Sequence, residues 1–448
     1  MKTRIISIVI VGILLRLLTA YAFLPDQPQG EDGPSYATQA LEVVAGSGAH
    51  YYFPPGTSFV VAPVYGIMGR TVAVDHAIGV VLTSGVVIVS VWFSVILLGW
   101  SRSTMIVAIL ASCYGHTILA ATQISSQTVT AIAVVAAVGL TIQCLRTWSW
   151  TRWGLASLAM AIAVLTRPAS GLVVAVCASA ILYHAWQRHV SGTQAIGACM
   201  ITALVLAAAI LPVMQHNARA GQGMTISTNN EWNLLLSNTP YTPDYKTGHF
   251  GQRGFDQIDP DAAAWLAACI PHRNPAQASL EERRSMTNAA LTYMGEHPWR
   301  TLYRITNRAR GYWGMDYSAT RLIQQAYGMS NRAALPLLAF EAGTYLLVII
   351  AALSAFFIGV QLGGLHGRLI VLVIVAGMLP YLVAFALPRF HLPAIPLIMP
   401  LAALAIARLG EAPREHLRTL VRSRWWWTVV ILVLSLQVEH FYHLARLQ

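Results

Sequence analysis

The chain has 448 residues, of which 56% are hydrophobic and only 10% are charged, whereas soluble globular proteins carry about 25% charged residues. Apolar stretches of about 20 residues recur along it, and a helix of that length crosses a bilayer. The composition excludes a soluble globular protein and predicts an all-α polytopic integral membrane protein. Because the runs are continuously apolar rather than alternating, a transmembrane barrel is also excluded.

Eleven spans are predicted, at 5–24, 76–99, 103–121, 126–145, 151–166, 169–186, 195–214, 336–360, 368–387, 390–408 and 425–443. The apolar run 57–69 is too short to cross, so we expect a re-entrant or interfacial segment there. The spans divide the chain into an N-terminal membrane module 1–214, which includes a first outer loop 25–75, an extracytoplasmic domain 215–335, and a C-terminal membrane module 336–448.

The distribution of basic residues predicts the orientation. With the N-terminus inside, the inner loops carry twelve Lys or Arg residues and the short outer loops carry four, which fits the positive-inside rule. The net charge of +11 therefore reflects topology, and no nucleic-acid partner is expected. We predict a bacterial inner-membrane protein whose active site faces outward.

The first span has an alternative interpretation as a cleaved signal peptide. Lys2 and Arg4 precede the apolar run, and residues 20–22 have the A-x-A form of a cleavage site. Arg16, however, interrupts the apolar core. In both interpretations the residues after position 25 face outward.

Two carboxylates, Glu31 and Asp32, follow directly after the first span in the stretch "GEDGPSY". One interpretation is that they cap the amphipathic helix that begins near Ser35 and complement its dipole. The other is that one of them is a general base, since a partly desolvated carboxylate can accept a proton from a hydroxyl or amine. The residues alone leave both open.

The pattern D-x-x-x-Y after a first span, then an amphipathic helix and "YYFPPG", resembles the GT-C-type glycosyltransferases, which include protein O-mannosyltransferases and lipid A aminoarabinose transferases. Further stretches resemble the family in the same order, namely "ISTNNEWNLLLSNTPYT", "ALTYMGEHPWRTLYRITNRARGYW" and "LPRFHLPAIPLIMPLAALAI". "ISSQTV" departs from it, because relatives often have Glu at the position of Gln127.

The resemblance implies a polyprenyl-phosphate-linked sugar as donor and a lipid, glycan or protein as acceptor. It makes Asp32 the catalytic base, with Glu31 beside it, and places Tyr36 and Tyr52 in the substrate site. No cofactor is assigned, and a divalent metal is neither required nor excluded by the sequence.

Outward-facing basic residues are candidates for binding the lipid phosphate, because an Arg guanidinium pairs phosphate oxygens through two nitrogens. Arg167 and Arg389 lie at predicted outer ends of spans, and His391 follows in "PRFHLP". Arg300 and Arg304 lie on one face of a helix, four residues apart. The alternatives are that the span-end arginines snorkel to headgroups and that the helix face is merely solvated.

The sequence thus predicts a membrane glycosyltransferase with Asp32 as general base. Two other functions stay open. A lipid-linked oligosaccharide polymerase or ligase would share the spans and outer arginines without needing Asp32. A lipid or sugar transporter would need polar groups inside the spans, and these are few.

Overall fold

A computed structural model describes residues 1–30, 32–245, 260–269 and 274–445, and all regular structure among them is helical. The first ten helices are α1 (Lys2–Leu18), α2 (Gly33–Ala45), α3 (Gly56–Met68), α4 (Val72–Leu98), α5 (Arg102–Ser112), α6 (Gly115–Leu119), α7 (Ser126–Arg146), α8 (Trp150–Thr166), α9 (Gly171–Trp186) and α10 (Gly192–Arg219). A π-helical turn, Thr19–Phe23, continues α1.

Five helices follow in the long polar region: α11 (Asn230–Ser237), α12 (Pro260–Cys269), α13 (Leu280–Glu296), α14 (Pro298–Tyr312) and α15 (Ser318–Ala326). The last five are α16 (Asn331–Phe357), α17 (Gly364–Val383), α18 (Ile395–Glu411), α19 (Pro413–Arg422) and α20 (Arg424–Ala445), with a 3-10 turn, Pro388–Ala394, leading into α18. The prediction of an all-α polytopic membrane protein is confirmed.

The number of spans is smaller than predicted. Within the described residues, eight helical segments are long and apolar enough to cross a membrane, or nine if α19 and α20, bent by 77°, form one span. With the bent pair counted as the predicted span 425–443, two predicted spans account for the difference from eleven. The helix α8 has 17 residues, at the lower limit for a span, and the predicted span 103–121 is broken into α5 and α6. The run 57–69 forms the short apolar helix α3.

Arg16 stabilises the break between α5 and α6. Its guanidinium is fully buried and donates to the carbonyls of Ala111 and Ser112, the last residues of α5, at 3.2 Å each, and to Thr117 Oγ1 at 2.6 Å. Carbonyls at the end of a helix have no amide partner within it, and leaving them bare inside a bilayer is costly. The one charge inside the first span therefore serves a structural purpose.

We expect Arg16→Met to destabilise the protein, by about 1–3 kcal/mol for each buried carbonyl left without a donor. Thermal unfolding of the purified protein measures the effect. Arg4→Met is the matched control, because Arg4 lies exposed on the same helix. Equal unfolding midpoints for the two variants would contradict this role of Arg16.

Several loops meet at one end of the helix bundle, which we call the α2 end. Arg167, the residue after α8, donates to Ser126 Oγ at 3.2 Å. Because Ser126 is the first residue of α7, the end of α8 lies beside the start of α7 and the two helices are antiparallel. The loop before α2 is held by Gln29, whose side chain bonds the backbone of Thr122 and Ile124. The α2 end therefore collects segments that are far apart in the sequence.

The helices α11, α12 and α13 share a small apolar core, which includes Leu235, Leu266, Met286 and Ala290. The helix α14 joins these helices to the bundle. Its Arg308 is fully buried and donates to the carbonyls of Leu382 and Val383 at the end of α17, at 3.0 and 2.8 Å. The division at residues 215 and 335 stays a prediction.

We expect the α2 end to face outward. In a variant without the five native cysteines, Ser285→Cys on the exposed side of α13 should react with an impermeant thiol reagent in whole cells. Glu415→Cys, exposed on α19 at the opposite end of the bundle, should react only after the membrane is opened. Labelling in the reverse order would invert the predicted orientation.

Candidate functional site

A cavity of about 420 Å³ opens at the α2 end. Four segments supply its walls: the start of α2, the α6–α7 region, the start of α15, and the 3-10 turn before α18. The polar side chains that line it include those of Asp32, Tyr36, His116, Gln127, Ser318 and Arg389. The cavity therefore contains acidic, basic and hydroxyl groups together.

Asp32 occupies the position just before α2, but its side chain does not cap the helix. The backbone carbonyl of Asp32 accepts a hydrogen bond from the Tyr36 amide at 3.1 Å, whereas the carboxylate turns to Arg389 and accepts from its Nη2 at 3.3 Å. About a third of the Asp32 side chain, 36%, is exposed. The Asp32 side chain thus reaches the cavity while it contacts Arg389.

Arg389 and Arg167 approach each other through Gln127. In one of its two orientations the Gln127 amide forms hydrogen bonds with all of its polar neighbours. Its oxygen then accepts from Arg389 Nε at 3.0 Å and from Arg167 Nη2 at 2.9 Å, and its nitrogen donates to Ser125 Oγ at 2.5 Å. Such networks are the basis on which amide orientations are assigned. A neutral oxygen therefore joins the two guanidinium groups, one of which also contacts Asp32.

Aromatic side chains hold Arg167 in place. Its guanidinium lies 4.5 Å from the centre of the Phe390 ring and donates to the Tyr381 hydroxyl at 2.8 Å. Its Nε is buried and has no hydrogen-bond partner among the described residues. The Tyr381 hydroxyl and the Phe390 ring thus fix the guanidinium beside Gln127.

Two tyrosines predicted to bind substrate lie near Asp32. Tyr36 is buried and lines the cavity, and burial together with the negative charge of Asp32 raises the pKa of its hydroxyl to about 12. The pKa of Tyr52 is also raised, first by burial and then by Asp32. Both hydroxyls therefore stay protonated at neutral pH.

His391 lies behind the cavity rather than in it. Its Nδ1 is 2.7 Å from the carbonyl oxygen of Tyr312, its Nε2 is 3.3 Å from the Asp316 carboxylate, and its ring stacks on Tyr345. Asp316 also accepts from the Tyr114 hydroxyl at 2.7 Å. Burial alone would raise the pKa of Asp316, but the adjacent His391 and His116 lower it. The structure thus places His391 in a buried network that supports the turn carrying Arg389.

A second buried pair, which the sequence analysis missed, forms one wall of the cavity. His116 Nδ1 is 2.8 Å from Glu341 Oε1, and the same carboxylate accepts from the amides of Ala319 and Thr320 at the start of α15. The sequence did hold a sign of this pair, because Glu341 is a carboxylate inside the predicted span 336–360, and charged groups are rare inside spans. Glu341 therefore fixes both His116 and α15.

Arg300 and Arg304 are not in this cavity. Both donate to Asp244 Oδ1, at 2.7 and 2.9 Å, and Arg304 is almost fully buried, with further bonds to the carbonyls of Thr239 and Thr242. Burial would raise the pKa of Asp244, but the two arginines lower it. The expectation of a solvated or headgroup-facing helix face therefore fails for Arg304, whose donors serve the Asp244 carboxylate and two protein carbonyls.

Glu31 lies outside the described residues. Among those that are described, no group of three or more His, Cys, Asp or Glu side chains is arranged to hold a metal ion. The structure thus brings together Asp32, Tyr36, Arg167 and Arg389, and places Tyr52 near them. It places His391 behind the cavity and Arg300 and Arg304 away from it.

No family model matches the chain, and no curated protein matches it. It is similar to a solved structure of the Archaeoglobus fulgidus oligosaccharyltransferase in complex with Zn and sulfate, with 12% identity and a TM-score of 0.45 over 95% of this chain and 52% of that chain. The same enzyme tethered with an acceptor peptide gives 11% identity and 0.44 over 98% and 54%. This chain thus spans about half the length of the oligosaccharyltransferase.

A third similar structure is ArnT from Cupriavidus metallidurans bound to undecaprenyl phosphate, with 12% identity and a TM-score of 0.40 over 90% of this chain and 78% of that chain. At such low identity, and with TM-scores below 0.5, these likenesses carry no conclusion about the family or activity of this chain. What this chain does is therefore argued from its own residues.

Proposed function

We propose that the protein transfers a sugar from a polyprenyl-phosphate-linked donor to an acceptor at the outer face of the membrane. The observation that carries this proposal is the contact of Asp32 with Arg389 in a cavity at a membrane boundary, beside Arg167. A carboxylate that can take a proton and two guanidinium groups that can hold a phosphate are the parts that such a transfer needs.

The proposed reaction uses Asp32 as the general base. An acceptor hydroxyl or amine attacks the anomeric carbon and gives its proton to the Asp32 carboxylate. The bond between that carbon and the phosphate oxygen breaks, and polyprenyl phosphate leaves with the bonding electrons. If it leaves from the face opposite the attack, the configuration at the anomeric carbon inverts.

Arg389 and Arg167 would stabilise the leaving group as negative charge grows on its phosphate. Both lie near the membrane boundary, where the phosphate of a lipid-anchored donor lies. Gln127 keeps the two guanidinium groups close, because its amide oxygen accepts from both. Tyr36 and Tyr52 supply hydroxyl donors on the Asp32 side of the cavity. Glu31 stays a predicted neighbour of the base.

The Asp32–Arg389 contact implies an order of events. The Asp32 carboxylate accepts a hydrogen bond from the Arg389 guanidinium. A donor phosphate, with more negative charge, would compete for Arg389 and release Asp32 from it, so that the base becomes available when the sugar is in place. Donor binding would therefore precede proton transfer.

Cells that contain and lack the gene offer a direct test in the native setting. We expect mass spectrometry of their envelope lipids, glycans and proteins to show one sugar modification that depends on the gene, with its polyprenyl-phosphate donor accumulating when the gene is absent. A chromosomal copy encoding Asp32→Asn should behave like the deletion. Identical envelopes, or restoration by Asp32→Asn, would contradict the proposal.

A further inference from the structure

A second, larger cavity lies inside the membrane-spanning bundle, away from the site. It lies between α16, α17, α18 and α20, and has a volume of about 1960 Å³ when the space at its open side is included. Its walls are mostly aliphatic and aromatic, and include Ile349, Phe356, Leu401 and Leu436. Phe356 is 60% exposed on the protein surface. A cavity of this kind, open towards the bilayer, fits hydrocarbon chains rather than water.

The cationic group of this cavity lies at the end opposite to α2. Arg368, in the first turn of α17, lines its mouth together with Gln361 and three glycines of the same segment. Arg368 is exposed, and no described carboxylate forms an ion pair with it. A cation at the mouth of an apolar groove suits the negative head of an amphiphile.

The other end of the cavity has no cation among its described lining residues. It is closed by Trp313, Tyr345 and Gln437, whose polar groups bond one another and the backbone. The Tyr345 hydroxyl donates to the Trp313 carbonyl at 2.7 Å, and Gln437 Oε1 accepts from the Met315 amide at 2.6 Å. An amphiphile in this cavity would therefore point its charged head away from Asp32, opposite to the direction required of the sugar donor.

The surroundings of the mouth favour a negatively charged lipid. The amphipathic helix α19, which lies at this end, carries Arg414, Arg418 and Arg422, and Arg146 at the end of α7 adds a further charge. Basic residues gathered at one membrane surface attract anionic headgroups, at about 1 kcal/mol for each Lys or Arg. The lipids around this mouth are thus expected to be enriched in anionic species.

We infer that the α16–α20 cavity binds an anionic phospholipid, with its acyl chains between the helices and its phosphate at Arg368. The inference needs only a membrane-inserted protein and holds whether or not the chain transfers a sugar. The lipid would fill a gap between α17 and α20 that no described side chain fills, and would thereby stabilise this half of the bundle.

Native mass spectrometry of the purified full chain tests this inference. The protein is incubated with equal amounts of phosphatidylglycerol and phosphatidylcholine that carry the same acyl chains, and the bound lipids are counted. We expect the wild type to retain phosphatidylglycerol preferentially. Arg368→Gln should lower that preference about fivefold, the factor that corresponds to the attraction of about 1 kcal/mol between one basic residue and an anionic surface. Arg332→Gln, exposed at the start of α16 at the α2 end of the bundle, is the matched control and should leave it unchanged.

A second pair of variants tests the cavity itself. Ile349→Trp places a large ring inside it and should reduce the amount of either lipid retained. Leu347→Trp adds the same ring on the bilayer-facing side of α16, where Leu347 is 52% exposed, and should not. An unchanged lipid preference in Arg368→Gln would overturn the inference, as would unchanged retention in Ile349→Trp. Displacement of the phospholipid by undecaprenyl phosphate in the wild type would assign the cavity to the donor instead.

Discussion

Replacing Asp32 by Asn is expected to reduce sugar transfer by about 10²–10⁴-fold, the usual contribution of general acid–base catalysis. Asn keeps the size of the side chain but cannot take up a proton at neutral pH. The fold should not suffer, because the Asp32 side chain makes no capping hydrogen bond to α2. Purified protein in lipid, assayed with a polyprenyl-phosphate-linked sugar, gives the rate.

The same variant should bind polyprenyl phosphate at least as tightly as the wild type, because the ligand no longer competes with a carboxylate for Arg389. Asp26→Asn is the matched control, since Asp26 is an exposed carboxylate in the same loop that does not line the cavity. If Asp32→Asn lost transfer and binding together, Asp32 would be a donor-binding residue rather than the base.

Replacing Arg389 by Ala should lower transfer about 10²–10³-fold, the loss seen when one donor to a developing oxyanion is removed. Arg389→Lys should lose less, because Lys keeps the charge but lacks the planar pair of donors. Affinity for the sugar donor should also fall, and should fall further in Arg389→Ala than in Arg389→Lys. Initial rates over a range of donor concentrations separate the effect on binding from the effect on turnover.

Arg332→Ala supplies the comparison, because Arg332 is exposed near the start of α16 and does not line the cavity. The snorkelling interpretation of Arg389 predicts that Arg389→Ala and Arg332→Ala behave alike in a correctly inserted protein. Full turnover in Arg389→Ala would therefore establish that interpretation and remove Arg389 from the mechanism.

The residues that the structure gathers around Asp32 differ in how far the sequence revealed them. Asp32 and Tyr36 stand in a short pattern after a first span, and Arg167 and Arg389 stand out because they oppose the positive-inside rule. All four were therefore predicted, and their catalytic roles stay predictions. Asp32 and Arg389 are 357 positions apart, so only the fold shows that they touch.

Other features depend on contacts that a single sequence does not display. Gln127 looked like a departure from a family pattern, yet it joins Arg167 to Arg389. His116 and Glu341 form a buried pair across 225 positions. The break after α5 was hidden because the apolar run continues through it, and Arg16, on another helix, supplies the donors that the break requires.

The most direct test of the central claim is the release of polyprenyl phosphate from a sugar-charged donor by purified protein in lipid, with an envelope extract as the source of acceptor. We predict that the wild type and Asp26→Asn release one polyprenyl phosphate for each sugar transferred, and that Asp32→Asn and Arg389→Ala release little. Equal release by Asp32→Asn would contradict the account. Activity of the wild type on pyrophosphate-linked oligosaccharides alone would also contradict it and would indicate a polymerase or ligase. Movement of the donor across the membrane without cleavage would contradict it as well and would indicate a transporter.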